Sequence, residues 1–337
     1  NTYMYIRQIH CIWLNILGAK TGDGVTTLNS QGENLLDIAQ AFVPGHITGI
    51  FRIHDEHEDP LRCGSVGAGF CVDIGTTTTV KLVDSTKLEV SVAYNGRPIN
   101  APVTTTVIQR LLQQNHRVCK VEVDHESMLP IGVGFGASGA GALGTAIALS
   151  SLIDAESYSL DAAKHAHYAE IVNHTGLGDV IAQTTGGMEL RTKPGAPGIG
   201  EVVKIALNES FKIVLAGAPG LETKSVLTNK RHRGRIIKAA DELMEELRAN
   251  PTVDSFIHYS KQFAHSIGLM TPRVQTALNE LEEAGLNDSS MVMLGDSIFC
   301  FCKNDESDHA IDILSRFWEI NQVQLTGISE DGGRLVL

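Results

Sequence analysis

A glycine-rich run between residues 130 and 144 is the part of the sequence best suited to bind an anion. It reads Pro-Ile-Gly-Val-Gly-Phe-Gly-Ala-Ser-Gly-Ala-Gly-Ala-Leu-Gly. The glycines at positions 132, 134, 136 and 139 let the backbone approach a ligand closely, and their amides can point inward together. At the start of a helix, such a loop forms a site for phosphates. Ser138 adds a hydroxyl that can coordinate Mg²⁺. The structural alternative is a glycine-rich helix that packs closely against a sheet.

The run does not fit the two most familiar nucleotide-binding motifs. A P-loop requires the pattern GxxxxGK[ST], which does not occur in the chain. The dinucleotide pattern GxGxxG does occur, at Gly134, Gly136 and Gly139. However, the strand predicted before it alternates polar and apolar residues, whereas the first strand of a dinucleotide-binding fold is buried on both faces. The loop therefore indicates a phosphate site of another class.

A predicted helix over 161–173 suggests a different chemistry. His167, Glu170 and His174 follow i, i+3, i+7 spacing, which places them on one helix face, as the ligands of a zinc or dinuclear metal site require. The chain contains no HExxH pattern, and ordinary surface or core histidines are far more common. A metal-dependent hydrolase on these residues is therefore the less favoured alternative. The acidic run from His54 to Asp59 is more typical of a solvated loop.

A mixed α and β framework is expected to position these residues. Alternating residues predict a hairpin of Thr76–Val83 with Lys87–Tyr94, and a half-exposed strand over Arg117–Glu126 that is typical of antiparallel sheets. Further strands are predicted over 188–193, 201–207, 212–215, 291–302 and 333–337. Helices are predicted over 103–114, from the glycine-rich run to about Ile153, over 161–173, from Asp179, and over 272–284. Asp179 follows a tight turn at a helix start, so a helix N-cap is its structural alternative.

The charge of the chain is unevenly distributed. Its 337 residues carry a formal net charge of −12, and residues 241–337 hold 17 of the 39 acidic but only 6 of the 27 basic residues. The hydrophobic content of 43 % is that of a globular protein and excludes wholesale disorder. An acidic total argues against nonspecific nucleic-acid binding. The basic segment from Lys224 to Lys238 lacks aromatic residues that could stack on bases, so it offsets phosphate charge or forms a solvated face.

Cysteine usage and hydropathy indicate the compartment. Six cysteines occur without a CxxC pair, and Cys300 and Cys302 are expected to point to opposite faces of a strand, which disfavours a shared metal. They are interpreted as the reduced thiols of a cytoplasmic protein. The stretch from Ser127 to Ile153 has no charged residue, but its glycine content favours a soluble loop and buried helix over a membrane span.

Three segments in order resemble the GHMP kinases, the family of galactokinase, homoserine kinase, mevalonate kinase and phosphomevalonate kinase. The run from Pro130 to Ala140 is similar to their ATP-binding motif, Val43–Phe51 to their first motif, and the stretch from Ala169 to Gly187 to the region of their acidic catalytic residues. Three sequence segments are similar to those of the archaeal pantoate kinases: Pro44-Gly-His-Ile-Thr-Gly, Gly176-Leu-Gly-Asp-Val and Lys193-Pro-Gly-Ala-Pro. The resemblance covers roughly residues 39–337.

The resemblance implies a role for each matching residue. The residues expected to surround the ATP phosphates are Gly134, Gly136, Ala137, Ser138, Gly139 and Ala140. Ser138 and Glu170 are expected to hold Mg²⁺, and Asp179 takes the position of the catalytic aspartate. Arg191 and Thr223 are the implied substrate contacts, and the guanidinium of Arg191 suits a carboxylate.

The sequence departs from the GHMP pattern at two points. His46 stands where many members of the family have another basic residue, so a lysine-assisted mechanism is not expected here. The third family motif, which is glycine-rich, is matched only weakly, because Ser290–Asp296 contains a single glycine.

The expected activity is ATP- and Mg²⁺-dependent phosphorylation of the C4 hydroxyl of pantoate, giving 4-phosphopantoate in coenzyme A biosynthesis. Within the same superfamily, a homoserine or mevalonate kinase differs only in the acceptor. The expected partners are ATP and this small-molecule substrate, without nucleic acid or membrane, and a homodimer is left open.

The expected fold class is α+β, that of the GHMP kinases. It comprises an N-terminal domain similar to domain 2 of ribosomal protein S5, over 39–209, and a C-terminal α/β sandwich of ferredoxin-like type, over 210–337. Residues 1–38 are expected to be an extension, to which we assign no role.

Overall fold

The structure of the chain, a computed structural model, describes residues 38–153, 160–220, 223–303 and 305–336. The predicted extension over 1–38 lies outside these ranges except for Ile38, which begins the first strand. The strands are β1 (Ile38–His54), β2 (Gly64–Val83), β3 (Glu89–Tyr94), β4 (Arg97–Pro98), β5 (Lys120–Ser127), β6 (Met188–Lys193), β7 (Glu201–Lys204), β8 (Lys212–Ala218), β9 (Ser289–Met291), β10 (Asp296–Cys302), β11 (Val323–Thr326) and β12 (Arg334–Leu335).

The described α-helices follow the same chain order. They are α1 (Pro102–Gln114), α2 (Ala137–Ile153), α3 (Leu160–Asn173), α4 (Asp179–Thr185), α5 (Thr223–Thr228), α6 (Lys230–Ala249), α7 (Val253–Ile267), α8 (Pro272–Glu283) and α9 (Ser307–Leu314). The predicted helices agree with these bounds to within a residue or two at most ends. Helix α8 begins as its capping residues indicate, because Thr271 Oγ1 accepts from the Val274 amide at 3.2 Å and Pro272 occupies the first turn.

The larger sheet is built around two long antiparallel strands. β1 and β2 pair along their whole length, from Ile38 opposite Lys81 to His54 opposite Gly64. The strand order is β12-β1-β2-β5-β3-β4, and β6 pairs with the first half of β2 and carries β7 on its other edge. The sheet forks at this edge of β2, because Thr76–Val83 pair with β5 whereas Gly67–Phe70 pair with β6.

The predicted hairpin of 76–83 with 87–94 is wrong. Both strands exist, but β5 lies between them, antiparallel to β2 and parallel to β3. Alternation of polar and apolar residues identifies a half-exposed strand but carries no information about its neighbour. The prediction that the 117–126 strand pairs in an antiparallel manner is therefore confirmed on one edge only.

The smaller sheet is antiparallel, in the order β11-β8-β10-β9. The single strand predicted over 291–302 is wrong, because β9 and β10 are separate strands that pair with each other across a turn at residues 292–295. Leu294 in this turn has a positive φ of 68°. The expectation for Cys300 and Cys302 is also wrong: residues i and i+2 of a strand share a face, and their sulfur atoms lie 3.6 Å apart.

Helix α2 is buried on almost all of its faces, since small residues let neighbouring elements approach it closely. It packs on β1, β2 and helix α3. The aromatic ring of Phe70 on β2 contacts the rings of Phe299 and Phe301 on β10 at centroid distances of 5.5 and 5.0 Å. Residues 37–337 form one compact unit. The division into domains at residue 209 stays a prediction; the two sheets lie on either side of it in sequence, apart from β12.

Candidate active site

A cavity of about 670 Å³ lies where the glycine-rich loop, the 173–179 turn and strands β1 and β6 meet. The predicted site residues that line it are Gly134, Gly136, Ala137, Ser138, Gly139, Asp179, Arg191 and Thr223. Ala140 and Glu170 are buried next to this lining. The fold therefore brings together residues that are separated by as much as 89 positions in the sequence.

The glycine-rich loop has the backbone conformation that its composition predicts. Gly132, Gly134 and Gly136 have φ values of +81°, +83° and +72°, in a region that residues with a Cβ rarely adopt. The loop is fixed from outside: the His46 amide donates to the Phe135 carbonyl at 3.1 Å, and Gln183 Nε2 donates to the Gly136 carbonyl at 2.9 Å. Directly after it, α2 begins at Ala137, so the unpaired amides of the first turn lie at the cavity.

Ser138 and Glu170 are in direct contact. Ser138 Oγ donates to Glu170 Oε1 at 2.5 Å, and Thr175 Oγ1 donates to the same oxygen at 2.9 Å. Glu170 is buried on α3, and its Oε2 has no hydrogen-bond partner among the described residues. Burial raises the pKa of Glu170 to about 7, with the charge of Asp179 acting in the same direction. Among the described residues, the hydrogen-bond partners of the desolvated Glu170 side chain are hydroxyls, and none is a cation.

Asp179 has a charged partner. His46 Nδ1 lies 2.8 Å from Asp179 Oδ1, and His46 Nε2 lies 3.2 Å from Glu189 Oε1. A carboxylate only accepts, so an imidazole between two carboxylates donates from both nitrogens and is an imidazolium. Burial lowers the pKa of His46, but Glu189 and Asp179 outweigh it, and the net shift is upward. Burial in turn raises the pKa of Asp179, but the hydrogen bond and charge of His46 and the charge of Arg191 leave it below its usual range.

The N-cap alternative for Asp179 is not what the structure shows. Gly178 occupies the N-cap position of α4, without a side-chain cap, and Asp179 is the first residue of the helix. Its side chain is 26 % exposed and reaches the cavity. The carboxylate therefore lies near the positive end of a helix while its oxygens remain available to the cavity.

Arg191 is the largest fully buried side chain of the described residues, with an exposure of 1 %. Its Nη1 donates to Glu189 Oε1, two residues earlier on the same face of β6. The remaining edge, formed by Nε and Nη2, has no hydrogen-bond partner among the described residues. Arg191 also lines the cavity. A buried guanidinium with two unpartnered donors, in a residue that lines a cavity, is suited to a planar anion such as a carboxylate.

Thr223 and Lys224 lie at the cavity on the first turn of α5, together with Leu227. Lys224, at the start of the basic segment, thus reaches the candidate site. Farther along the segment, Arg233 on α6 forms an ion pair with Asp55 at 2.7 Å.

A further part of the lining comes from residues 94–104 and 130–131. It includes apolar side chains such as Ile99, Val103 and Ile131, and also the imidazole of His125. His125 is buried between two hydroxyls: its Nδ1 lies 2.9 Å from Thr78 Oγ1, and its Nε2 lies 3.1 Å from Thr104 Oγ1. Burial lowers the pKa of His125 to about 4, so the ring is neutral.

The alternative metal site on α3 is not formed. His167 Nε2 donates to the Cys63 carbonyl at 2.9 Å, and burial lowers the pKa of this histidine to about 4. His174 lies beyond the end of α3, in a turn with a φ of 57°, and so leaves the helix face that its spacing assigned to it. Within the described ranges, no group of three His, Cys, Asp or Glu side chains is arranged to hold a metal ion.

Sequence reasoning missed the residues behind the cavity. His46 was noted only as a departure from the GHMP pattern, and Glu189 and Gln183 were not singled out. The signal for Glu189 is its position in Met-Glu-Leu-Arg, where an acid and a base on one face interrupt an apolar strand. Gln183 carries no local signal, because its partners lie 47 and 139 residues away.

Comparison with known proteins gives consistent results. The N-terminal domain of the GHMP kinases matches residues 103–187. The chain is 36 % identical over 286 residues to a pantoate kinase of Thermococcus kodakarensis, covering 82 % of this chain and 92 % of the relative. It is 32 % identical over 275 residues to a pantoate kinase of Methanocaldococcus jannaschii, covering 81 % and 96 %.

A solved structure supports the same assignment. A phosphotransferase related to the coenzyme A biosynthesis pathway superimposes with a TM-score of 0.79 at 32 % sequence identity, covering 89 % of this chain and 98 % of that one. In the part of the chain that the structure describes, we find no helix that is long and apolar enough to cross a membrane. On the fold, the arrangement of the cavity and these similarities, the chain belongs to the pantoate kinase family of the GHMP kinases.

Proposed function

We propose that this chain transfers the γ-phosphoryl group of ATP to the C4 hydroxyl of pantoate, giving ADP and 4-phosphopantoate on the route to coenzyme A. The observation that carries the proposal is that one cavity is lined by a glycine-rich loop at a helix start, by Ser138 in contact with the buried Glu170, by Asp179, and by Arg191, which has two unpartnered donors among the described residues. These are the parts that phosphoryl transfer to a hydroxy acid requires.

The nucleotide is assigned to the glycine loop and the lining beside it. The first-turn amides of α2 and the positive-φ glycines 134 and 136 provide a concave backbone for the phosphates. Ser138 and Gly139 belong to that turn, and the buried Ala140 supports it. The apolar part near Ile99 and Ile131 is suited to the flat faces of a nucleobase.

The Ser138–Glu170 pair fits Mg²⁺. Glu170 is a buried carboxylate whose Oε2 has no described partner, and the hydroxyl of Ser138 is in contact with its other oxygen. Oxygen ligands of this kind, few in number and combined with phosphates, are those that Mg²⁺ takes in kinases. The ion would neutralise charge on the β- and γ-phosphates. Its binding would also relieve the cost of the buried, uncompensated carboxylate.

Arg191 and Thr223 are assigned to the acceptor. The Nε–Nη2 edge of Arg191 would donate two hydrogen bonds to the pantoate carboxylate, since Nη1 already donates to Glu189. Thr223 lies at the same cavity and offers a hydroxyl. Anchoring the carboxylate fixes the direction in which the rest of the small substrate extends, and thus which hydroxyl meets the phosphate.

Asp179 is assigned to the C4 hydroxyl. In the reaction, the hydroxyl oxygen forms a bond to the γ-phosphorus, the bond from that phosphorus to the bridging oxygen breaks, and ADP leaves. Asp179 Oδ2 would accept the hydroxyl hydrogen bond and then its proton. The pKa of Asp179 is lowered, so the carboxylate is fully ionised and orients the hydroxyl before it takes the proton. The proton moves from the C4 hydroxyl to Asp179 late in the reaction, because the hydroxyl becomes acidic as its oxygen bonds to phosphorus.

The location in the cell is part of the same proposal. Cys63, Cys71, Cys119, Cys300 and Cys302 are free thiols. Reduced cysteines are typical of the cytoplasm, where ATP is available, and we place the reaction there.

The decisive experiment is an ATP-coupled assay with pantoate, homoserine, mevalonate and shikimate as acceptors, with and without Mg²⁺. All four acceptors carry a carboxylate that Arg191 could hold, so discrimination depends on the distance and shape between that carboxylate and the reacting hydroxyl, and we expect pantoate to have the highest kcat/KM. Higher kcat/KM with homoserine or mevalonate would assign the chain to another acceptor within the superfamily. Hydrolytic activity without ATP would contradict the kinase assignment.

A further inference from the structure

We propose that Glu189 is a positioning residue that couples the acceptor anchor Arg191 to the reacting carboxylate Asp179 through His46. The proposal rests on the roles given above to Arg191 and Asp179. Glu189 itself belongs neither to the glycine-rich loop nor to the Ser138–Glu170 pair. It does not occur among the described residues that line the cavity.

The geometry places Glu189 at the centre of a buried chain of charges. Its Oε1 accepts from Arg191 Nη1 and from His46 Nε2, the second at 3.2 Å. His46 Nδ1 continues the chain to Asp179 Oδ1 at 2.8 Å. Glu189 and Arg191 are each 1 % exposed, and the His46 side chain is fully buried. A single carboxylate oxygen thus connects the two functional ends of the site.

The charges explain why a carboxylate is needed there. Arg191 Nη1 lies 3.5 Å from His46 Nε2, so two cationic groups meet away from water. Without Glu189 they would repel each other, since unit charges at this distance interact strongly in a medium of low polarity. Removal of one partner from a buried charge network leaves an uncompensated charge. The groups that face His46 are Asp179 from α4, Glu189 and Arg191 from β6, and the Cys71 thiol opposite it on β2.

Two consequences for the reaction follow from this arrangement. First, Glu189 engages Nη1 and leaves the Nε–Nη2 edge of Arg191 as the edge without a described partner, which fixes how an acceptor carboxylate can approach. Second, Glu189 stabilises the imidazolium form of His46, and that form keeps Asp179 ionised and oriented. A neutral His46 would donate to only one of its two carboxylates.

The test combines histidine NMR with kinetics of Glu189→Gln, which keeps the size of the side chain and removes its charge. Glu189→Asp is the conservative variant, and Glu201→Gln is the matched control, since Glu201 lies on the neighbouring strand β7 and pairs with exposed Lys193. The protonation of His46 is followed by its ring nitrogen and carbon shifts against pH, in the substrate-free protein. His46→Gln identifies the signal.

We expect His46 of the wild type to stay protonated above the ordinary histidine range and to lose its proton at lower pH, by about one unit or more, in Glu189→Gln. The pantoate KM should rise by about tenfold or more while the ATP KM changes by less than about threefold. Glu189→Asp should recover part of both effects, and Glu201→Gln should show neither.

Several outcomes would overturn the proposal. One is a wild-type His46 that is already neutral at pH 7, which is decided without any variant and so does not depend on whether Glu189→Gln folds. Another is an unchanged titration of His46 in a folded Glu189→Gln protein. A rise of both KM values by the same factor would assign Glu189 a purely structural role. If the wild type does not phosphorylate pantoate, the proposed function fails, but the titration still decides whether Glu189 controls His46.

Discussion

The imidazole of His46 contacts the carboxylate of Asp179 at 2.8 Å, although the two residues are 133 positions apart in the sequence. The contact joins strand β1 to the first residue of α4. His46 is entirely buried, whereas Asp179 keeps about a quarter of its side chain exposed, 26 %, toward the cavity. The histidine is therefore a fixed support and the aspartate is the group that meets the substrate. A buried imidazolium occupies the position where many GHMP kinases have another basic side chain.

Asp179→Asn should abolish most of the turnover without loss of ATP binding. The amide keeps the size of the side chain, but it is neutral and cannot take the proton of the acceptor hydroxyl. We expect kcat to fall by about 10² to 10⁴. The ATP Kd should stay within about threefold, because the phosphate loop is built from other residues. Steady-state kinetics and calorimetric titration of ATP would measure both.

The matched control for this variant is Asp161→Asn. Asp161 also lies in the first turn of a helix, α3, but it is exposed and pairs with Lys164. It should leave kcat unchanged, which separates the loss of the Asp179 carboxylate from a general effect of neutralising a helix start. A folded, ATP-binding Asp179→Asn protein with near-normal turnover would remove Asp179 from the reaction.

The sequence was sufficient to predict the parts of the site that follow a local pattern. Positive-φ glycines and a helix start are recognisable from spacing alone, and Gly134, Gly136 and Ser138 lie where the pattern indicates. Ser138 and Glu170, which the resemblance to the GHMP kinases names together as the magnesium ligands, are in contact across 32 residues of sequence. Their role as magnesium ligands stays a prediction.

What depends on tertiary pairing was not predictable. The strand that pairs with β3 is β5, which lies between β3 and β2 in the sheet. The half-exposed alternation of β3 is compatible with pairing to either β2 or β5. In the same way, the position of His46 between Asp179 and Glu189 arises from the register of β1 against β2 and from the fork that places β6 beside β2. The helix-face argument for His174 failed because the helix ends before it.

Arg191→Lys should weaken acceptor binding specifically. Lysine keeps the positive charge but presents a single ammonium group, so the bidentate contact with a carboxylate is lost. We expect the pantoate KM to rise by about tenfold to a hundredfold, with a much smaller change in the ATP KM. Initial rates with each substrate varied at saturation of the other would show the difference.

Lys193→Ala is the control for the arginine variant. Lys193 is the last residue of the same strand β6, but it is exposed and pairs with Glu201 at the surface. It should leave both KM values unchanged. If Arg191→Lys raised the two KM values equally, Arg191 would support the whole cavity and would not be an acceptor contact.

We expect the buried His125 to make the folded chain less stable in acid, independently of catalysis. Its pKa is about 4 in the folded chain, because it is buried between two threonine hydroxyls, whereas a free histidine titrates near 6.5. The unfolded chain therefore binds the proton first, and stability is lost as pH falls from 6.5 toward 4. Between pH 7 and pH 5 the wild type should lose about 2 kcal/mol of unfolding free energy through this residue.

Urea denaturation of wild type and His125→Asn at the two pH values would measure this contribution. The variant is expected to be less stable at both, since it loses the packing of the ring, but its drop between pH 7 and pH 5 should be smaller by about 2 kcal/mol. His116→Asn, at an exposed position, should keep the full drop. An equal drop in wild type and His125→Asn would show that the buried imidazole takes up its proton in the folded state.

Gly134→Ala should raise the ATP KM through the backbone of the phosphate loop. A Cβ at this position would lie 2.7 Å from the Met293 carbonyl, and the φ of +83° is strained for alanine. The loop would have to move away from the turn between β9 and β10, carrying its amides with it. Because a displacement of about 1 Å can cost 10²-fold in rate, we expect the ATP KM to rise by about tenfold or more, measured at saturating pantoate.

Gly234→Ala provides the opposite control for the same substitution. Gly234 lies inside α6, and a Cβ there would meet no described atom within 4 Å. Alanine should increase the unfolding free energy by about 0.5 to 1 kcal/mol, since it favours the helix more than glycine does, and kinetics should not change. A Gly134→Ala protein that binds ATP as tightly as Gly234→Ala would mean that the phosphates are not held by the loop at residue 134. The close approach of Gly134 to Met293 would then serve only the packing of the two sheets.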